Sequence, residues 1–475
     1  MSNKIVIEPV TRIEGHGKVT ILLDDSGNVN EARLHVTQLR GFEKFCEGRL
    51  FWEMPLITAR ICGICPVSHH LASVKAGDAI LGVELPPTAT KLRRLLHLAQ
   101  HIQSHALHFF HLASPDFIFG MDADPAGRNV MGLIAEAPEI ATKGVRLRAF
   151  GQKIIEELGD KRVHPQAAVP GGMRKALGRP KRDEILGQID QVLDDCTFAL
   201  DLFKDYASRN SELVGSFADF PSGYLGMVDE KGNLELYDGK LRFKDQDGSI
   251  LEDDVPPEDY LSVIAEAVED WSYLKFPYYR KLGYPEGMYR VGPLARFNVA
   301  DRCGTPLADK EFQELKTMSS NGILQGSMRY HVARLVELLH CAEQLKVLVE
   351  DKSICATDIR VNRDRIRNEE GIGVIEAPRG TLFHHYWVDK NGKIMKSNLI
   401  VATGNNNLAM NRAVAQVARE FIKDGKITEG ILNRVEVAIR CYDPCLSCAS
   451  HALGHMPLEI TVCGADGKVR DVLRS

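Results

Sequence analysis

The sequence has 475 residues, 44% of them hydrophobic, which is enough apolar material for a large buried core. Its 59 lysines and arginines nearly balance 64 aspartates and glutamates, and no basic block of the kind that binds nucleic acid or anionic lipid is present. No apolar run approaches the roughly 18 residues of a transmembrane helix, so a membrane span is excluded as well.

The N-terminal segment and the cysteine count indicate the cellular compartment. The opening MSNKIVIEPVTRIEGHG lacks the basic, apolar and small-residue parts of a secretory signal, so we expect a cytoplasmic protein. Eleven cysteines, an odd number in a long chain, favour thiols and metal ligands over a disulfide framework.

Hydrophobic periodicity predicts a helical centre with small sheets at its edge. Residues 1–40 alternate like strands around a turn at 24–28 and predict a small antiparallel sheet. Apolar spacings of three and four predict long helices over 90–112, 185–203 and 332–348. One hairpin is predicted on the surface around Asp238-Gly239, and another from 381–388 to 394–401.

These elements predict the α+β class, with a core of long helices and small peripheral antiparallel sheets. No repeat or linker separates domains, so we interpret residues 1–475 as one unit. Its parts are the sheet of 1–40, the first cysteine pair and core helices of 41–220, a surface hairpin insert at 221–260, the core helices and second cysteine pair of 261–451, and an extension at 452–475.

Two Cys-x-x-Cys pairs stand near opposite ends of the chain. They are Cys62 and Cys65 in RICGICPVSH, and Cys445 and Cys448 in DPCLSCASH. This spacing lets two thiolates reach one metal, and soft sulfur suits nickel, iron, zinc or copper(I). A four-cysteine structural zinc site is the alternative, but zinc ribbons usually place their pairs within roughly 15 to 20 residues of each other. A metal held from both ends of a large chain favours catalysis.

At these residues the sequence resembles nickel-iron hydrogenase large subunits. Further segments match family motifs in the family's order: RIEGH at 12–16, RGFE at 40–43, EAPRG at 376–380 and TGNNN at 403–407. The resemblance covers most of the chain. It implies that H₂ is the substrate and is cleaved reversibly into protons and electrons.

The resemblance also implies the metal ligands. All four thiolates would bind nickel, Cys62 and Cys445 as terminal ligands and Cys65 and Cys448 as bridges to an iron that carries CO and cyanide. His69 would donate a hydrogen bond to a bridging sulfur, the kind of contact that tunes a metal ligand.

Two charged residues receive roles in the chemistry from the same resemblance. Glu14 would be the first carboxylate of the proton path. Arg379, which follows Ala377 and Pro378, would lie over the metal pair and hydrogen-bond a cyanide. Composition alone would make either of them a solvated surface residue, and the flanking motifs reverse that interpretation.

Three further residues would complete the pocket. Asp116 and Asp443 would pair with Arg379, although each could instead cap a helix or turn. Thr403 would donate a hydrogen bond to the diatomic ligands. The family more often has proline at the position of Ala402, so this chain departs from the pattern on that side.

A separate Mg²⁺ or Fe²⁺ site is also implied. Glu43 and His451 resemble its ligands, together with the carbonyl of Leu399. His451 could alternatively be a zinc ligand or a buried histidine. Residues 452–475 match an extension that, in this family, a maturation endopeptidase commonly removes after nickel-insertion proteins have loaded the metal, which indicates a precursor.

Electrons must leave through a partner, because no further cysteine cluster here could hold an iron-sulfur relay. The resemblance implies an iron-sulfur small subunit. Segments 41–49 and 380–385 look most like the soluble bidirectional NAD(P)-coupled group, whose FMN and NAD would lie on diaphorase subunits, since no Gly-x-Gly-x-x-Gly opens a helix here.

Three alternatives stay open. The electrons could go to an acceptor other than a nicotinamide. A quinone-site subunit of respiratory complex I would lack the four cysteines, and a scaffold held by zinc would not need the Glu14 and Arg379 segments.

Overall fold

The computed structural model describes residues 4–319, 321–362, 365–450, 459–464 and 468–474. Helices fill its centre. They are α1 (Phe42–Cys46), α2 (Met54–Thr58), α3 (Pro66–Leu81), α4 (Pro87–Leu107), α5 (Ser114–Ile118), α6 (Val130–Glu136), α7 (Pro138–Gly159), α8 (Arg179–Leu186), α9 (Ile189–Arg209), α10 (Ser211–Ser216), α11 (Pro293–Val299), α12 (Pro306–Lys316), α13 (Arg329–Glu350), α14 (Ala402–Asn405), α15 (Asn407–Phe421), α16 (Glu429–Arg440) and α17 (Leu446–Ala449).

Short strands surround these helices. They are β1 (Lys4–Ile7), β2 (Gly17–Leu23), β3 (Val29–Val36), β4 (Ala168–Val169), β5 (Gly172–Met173), β6 (Gly223–Val228), β7 (Lys240–Lys244), β8 (Ile250–Val255), β9 (Ile264–Val268), β10 (Lys275–Tyr279), β11 (Tyr289–Arg290), β12 (Glu370–Ala377), β13 (Gly380–Val388), β14 (Ile394–Ile400), β15 (Glu459–Cys463) and β16 (Val469–Arg474). Antiparallel sheets join β1-β2-β3 and β12-β13-β14, and a third sheet has the order β11-β6-β7-β8. β15 pairs with β16.

The helix α4 lies at the centre of the core. Its apolar positions Leu92, Leu95 and Ile102 are fully buried, as their spacing of three and four requires. It packs against α7 and α13. The contact with α7 depends on Gly151, where a Cβ would lie 2.4 Å from the carbonyl oxygen of Ala99. A π-helical turn, His108–Ala113, continues α4 toward α5.

The helix α3 begins directly after Cys65 and packs against β12 and β13. Two glycines of β12 make this packing close: a Cβ at Gly373 would lie 1.9 Å from the carbonyl of Ala72, and one at Gly371 would lie 2.3 Å from that of Ala76. The close contact fixes the first cysteine pair against the sheet. None of the described helices is long and apolar enough to cross a lipid bilayer.

The predicted α+β class with a helical core and small antiparallel sheets is confirmed. The three predicted helices correspond to α4 with its π-helical turn, to α8 and α9, and to α13. The predicted hairpin from 381–388 to 394–401 is formed by β13 and β14. The strand β12 on its other side was not predicted, because Gly371 and Gly373 interrupt the apolar pattern.

The hairpin predicted around Asp238-Gly239 is wrong. β7 pairs with β6 and β8, and residues 234–237 contribute one isolated bridge. The Glu235 side chain accepts hydrogen bonds from the backbone N–H groups of Tyr237 and Asp238, at 2.7 and 3.1 Å, and so closes a turn in place of a strand.

The prediction of a surface insert at 221–260 is also wrong in part. Leu225 and Met227 of β6 and Leu241 and Phe243 of β7 are buried in a second hydrophobic cluster. Many glycines and aspartates of this segment lie in its turns, but Gly223 and Gly226 lie within β6, so the composition concealed that these strands are buried.

Candidate metal centre

The structure brings the four predicted cysteines into one buried cluster. The sulfur of Cys62 lies 3.2 Å from that of Cys445, and the sulfur of Cys65 lies 3.4 Å from that of Cys448. Cys445 and Cys448 are 2.9 Å apart, and all four sulfurs lie within 4.8 Å of one another. Each is a thiol, not half of a disulfide. Four soft donors at this spacing match a site for a thiolate-bound transition metal.

Each cysteine pair lies in a turn at the start of a helix. Cys65 stands immediately before α3, whose first residue is Pro66. The backbone N–H groups of Ile64 and Cys65 point at the sulfur of Cys62, at 3.2 and 3.3 Å. Cys445 stands in the same way before α17, which contains Cys448.

The N-terminal segment is joined directly to the second pair. Glu14 and Cys445 form a parallel bridge, and the N–H of Leu446 donates to the Glu14 carbonyl at 3.0 Å. The approach requires Gly15, which has a φ of +87° and whose Cβ would lie 2.8 Å from that of Leu446. Arg40 ties both cysteine segments together by donating to the carbonyls of Ile61 and Ser447.

The Glu14 carboxylate contacts a sulfur of the cysteine cluster. The Cys445 thiol donates to Oε2 of Glu14 at 3.0 Å, and the N–H of Ser447 donates to the same oxygen at 3.0 Å. Glu14 is half-buried, so one side of the carboxylate faces the cluster while the residue keeps access to solvent. The predicted proton acceptor therefore lies within hydrogen-bond reach of a cysteine.

Arg379 is buried beside the cluster and paired with Asp443. Its Nε donates to the Asp443 carbonyl at 2.6 Å and its Nη2 donates to Oδ1 at 3.1 Å. Burial opposes the charge of Arg379, but Asp443 and the neighbouring cysteines outweigh burial and raise its pKa. Nη1 of Arg379 and Oδ2 of Asp443 find no hydrogen-bond partner among the described residues. An unsatisfied buried N–H suits a polar ligand at this point.

A small cavity beside the sulfurs collects most of the predicted pocket residues. The residues that line it are Cys65, Ser68, His69, Ala377, Pro378, Arg379, Leu382, Val401, Ala402, Thr403, Cys445 and Cys448. Thr403 accepts a hydrogen bond from the Cys445 N–H at 2.9 Å, which leaves its own O–H available to donate. Sequence reasoning missed Ser68, Leu382 and Val401, although Ser68 stands one turn after Cys65.

The electrostatics of the cluster are compatible with a bound metal. Hydrogen bonds from Cys445, Cys448 and Cys65 lower the pKa of Cys62, whereas burial raises the pKa values of Cys445 and Cys448. Without a cation only part of the cluster can ionise. Four thiolates in so small a volume need more positive charge than Arg379 supplies, and a bound metal pair would provide it.

The expected pairing of Asp116 with Arg379 is not what the structure shows. Oδ1 of Asp116 accepts from Arg12 at 2.5 Å and Oδ2 accepts from Arg440 at 2.6 Å, with Asn433 also donating. Both carboxylate oxygens are occupied by the two nearer guanidinium groups. Asp116 thus anchors the segment before Glu14 and the helix before Cys445 to α5.

Of the other predicted residues, His69 lies at the cysteine cluster and Glu43 contacts Leu399. His69 Nε2 is 3.3 Å from the sulfur of Cys448, at the distance expected for a hydrogen bond to sulfur. Oε1 of Glu43 accepts from the N–H of Leu399 at 2.8 Å, and Lys275 Nζ is 3.5 Å from its other oxygen. His451 lies outside the described residues. The separate Mg²⁺ or Fe²⁺ site stays a prediction.

Comparison with known proteins agrees with this geometry. A family model described as "Nickel-dependent hydrogenase" matches residues 40–142 and 228–451, and one described as "HoxL-like" matches residues 4–39. The beta subunit of the NAD-reducing hydrogenase HoxS of Cupriavidus necator is 45% identical, with 99% of each chain covered.

Two further matches extend the comparison. One subunit of the F₄₂₀-non-reducing hydrogenase vhu of Methanocaldococcus jannaschii is 47% identical over 88% of this chain and all of its own. A crystal structure of an NAD⁺-reducing [NiFe]-hydrogenase in the H₂-reduced state superposes with a TM-score of 0.92 at 47% identity, covering 94% of this chain and 99% of that chain.

Replacing Asp116 by asparagine should destabilise the fold. The substitution leaves Arg12 and Arg440 near an uncharged partner, and breaking a buried ion pair typically costs about 3–5 kcal/mol. Denaturant unfolding of both proteins measures this cost. Asp122→Asn is the control, because Asp122 pairs with Arg434 at an exposed position and should change the free energy of unfolding by about 1 kcal/mol or less.

The loss of folding stability caused by Asp116→Asn should also depend on pH. Burial opposes the Asp116 charge, but Arg440 and Arg12 outweigh burial and hold its pKa below the ordinary value. The stabilisation is therefore present above the unfolded carboxyl pKa of about 3.9 and is lost as pH falls through the lower folded value. A difference between wild type and Asp116→Asn that grows on acidification would contradict this assignment.

Proposed function

The chain belongs to the nickel-dependent hydrogenase family as a large, catalytic subunit, and we propose that the electrons it takes from H₂ pass through an iron-sulfur subunit to NAD. One observation carries the chemistry. Four buried thiols from both ends of the chain lie within 4.8 Å of one another, and one of them is hydrogen-bonded to the Glu14 carboxylate. The reverse reaction, proton reduction, uses the same groups.

We infer that Cys62, Cys65, Cys445 and Cys448 hold nickel, with Cys65 and Cys448 also bridging to an iron that carries CO and cyanide. Such a pair, when bound, would supply the Lewis acidity and the redox change that heterolytic cleavage of H₂ needs. Two properties of the cluster support this assignment: its four soft sulfur donors, and the need of four thiolates for compensating positive charge.

The protein's own groups would handle ligands and water. The unpaired Nη1 of Arg379 would donate to a cyanide, and the Thr403 hydroxyl would donate to a diatomic ligand. Ala377, Pro378 and Ala402 would form an apolar wall that excludes water and strengthens these polar contacts.

Glu14 would receive the proton. Its Oε2 lies 3.0 Å from the Cys445 sulfur, within the reach required of a general base, and the Ser447 N–H holds that oxygen in place. Because Glu14 is half-buried, the proton can then leave toward solvent.

A face beside the first cysteine pair supports an iron-sulfur partner. Several large apolar side chains between residues 39 and 56 are exposed, a concentration that marks an interaction site. They are Leu39 (45% exposed), Phe45 (54%), Trp52 (48%) and Leu56 (45%). A small subunit covering this face would lie next to the segment that leads into Cys62, where an electron can be passed on.

The relatives support NAD as the final acceptor. The beta subunit of the NAD-reducing enzyme is 45% identical over 99% of this chain, and the NAD⁺-reducing crystal structure superposes with a TM-score of 0.92. Diaphorase subunits binding FMN and NAD, and a cytoplasmic location, belong to this proposal. The similar identity of the archaeal relative supports a different acceptor as the second candidate.

The same proposal includes a second metal and a maturation step. Glu43 and Leu399, already in contact, would bind Mg²⁺ or Fe²⁺ together with His451. An endopeptidase would cut after His451 once nickel-insertion proteins had loaded the site, and would release residues 452–475, within which β15 and β16 pair with each other.

Metal analysis with infrared spectroscopy tests the metal centre. Protein purified anaerobically with its partners should contain nickel and iron in similar amounts and show CO and cyanide stretching bands. Zinc alone, without those bands, in protein whose C-terminus is already cut would refute the assignment and leave a structural zinc site.

The Glu14→Gln variant tests the proton path. Glutamine keeps the acceptor oxygen for the Ser447 N–H but cannot take a proton, so H₂ oxidation and H₂/D₂O exchange should fall by about 10²–10⁴-fold. Nickel content should not change. Glu8→Gln, at an exposed residue paired with Lys18, is the matched control and should retain activity. Full activity of Glu14→Gln would remove Glu14 from the path.

Charge introduction on the exposed face tests the partner. Trp52→Glu and Phe45→Glu should abolish co-purification of the iron-sulfur subunit while leaving the melting temperature nearly unchanged, because both side chains are exposed. Val347→Glu on α13, at a residue that is 59% exposed, is the control. Undiminished co-purification of both variants would place the interface elsewhere.

A further inference from the structure

His69 is the first member of a buried line of hydrogen-bonding side chains that leads away from the cysteine cluster. Its Nε2 is 3.3 Å from the sulfur of Cys448, and its Nδ1 is 3.1 Å from Nε2 of His384. Nδ1 of His384 is 2.7 Å from the hydroxyl of Tyr386, which lies 3.0 Å from Oγ of Ser73. All five side chains are buried.

Two elements with matching periodicities build this line. His69 and Ser73 are four residues apart on α3 and therefore lie on one side of the helix. His384 and Tyr386 are two residues apart on β13 and therefore lie on one face of the strand. α3 packs against β13, so the four side chains interleave.

The line can orient His69 because a neutral imidazole has one donor and one acceptor nitrogen. A metal-bound thiolate only accepts, so His69 must present Nε2–H to Cys448 and accept at Nδ1. His384 then donates from Nε2 and accepts at Nδ1 from the Tyr386 hydroxyl, whose oxygen accepts in turn from the Ser73 O–H, 3.0 Å away, because either of two paired hydroxyls can be the donor. Burial raises the pKa of Tyr386 well above its ordinary value, so this hydroxyl stays protonated.

We propose that His384 and Tyr386 are positioning residues, which fix the tautomer and orientation of His69 so that its N–H points at the Cys448 sulfur. This rests on the nickel-iron centre of the proposed function. Through His69 they would set how much electron density that thiolate gives to the metals. Ser73 and Thr58, which both contact the Tyr386 hydroxyl, are fully buried, so among the described residues the line orients a histidine and reaches no exposed side chain.

The Tyr386→Phe variant tests the inference by infrared spectroscopy of the anaerobic holoenzyme. Without the phenol, His384 is no longer held in one tautomer, and the hydrogen bond to the Cys448 sulfur weakens. A more electron-rich sulfur increases back-donation from iron, so the CO and cyanide bands should shift to lower wavenumber. His69→Leu should shift them in the same direction, and adding Tyr386→Phe to it should give no further shift.

A matched control lies on the opposite face of the same strand. The Tyr260 hydroxyl is 3.0 Å from Nδ1 of His385, so Tyr260→Phe also removes a phenol from a buried histidine, but one without contact to the cysteines. Its bands should coincide with those of wild type. Ser73→Ala leaves both histidines and the phenol in place, so it should shift the bands in the same direction as Tyr386→Phe but by less. If the Tyr386→Phe protein does not accumulate, Ser73→Ala tests the positioning role instead.

The outcomes separate the two proposals. A wild-type enzyme without CO and cyanide bands refutes the proposed metal centre itself. Bands in the wild type that Tyr386→Phe and Ser73→Ala leave unshifted overturn the positioning role. Equal shifts in Tyr386→Phe and Tyr260→Phe overturn it too, because the effect would then reflect general strain in β13.

Discussion

The structure depends on holding four buried thiols, two from each end of the chain, within 4.8 Å of one another. The ends must therefore meet at the centre of a large helical protein. The bridge between Glu14 and Cys445, the close approach at Gly15 and the hydrogen bonds of Arg40 all serve this meeting. The helices α3 and α17 then begin at the cysteines that they present.

The buried cysteine cluster also requires positive charge nearby to balance its thiolates. Burial raises the pKa values of Cys445 and Cys448, and the Arg379 guanidinium lies beside them with its charge maintained. A further guanidinium pair, Arg12 and Arg440, is bound by Asp116, with Glu436 also close to Arg440, and these ion pairs hold the backbone segments in place. Buried ion pairs of this kind add little net stability, but removing one partner is costly, so they fix the geometry of the segments that they join.

Structural features that follow directly from residue type and spacing could be predicted from the sequence. The thiols were evident from two Cys-x-x-Cys pairs, and the long helices followed from periodicity. The partners of Asp116 were not predictable, since Arg12 and Arg440 come from distant segments and both bind its carboxylate. The strand β12 was concealed by glycines needed for packing on α3, and the line from His69 to Tyr386 exists only because α3 crosses β13.

The distribution of the ligands has a consequence for biosynthesis. Cys62 and Cys65 leave the ribosome first, and their partners Cys445 and Cys448 follow 383 residues later. A chain that stops before its second cysteine pair can therefore offer at most half of the donor set. On the proposed assignment, metal loading would act as a check that synthesis has passed Cys448, because a shorter polypeptide would lack two of the four thiolates.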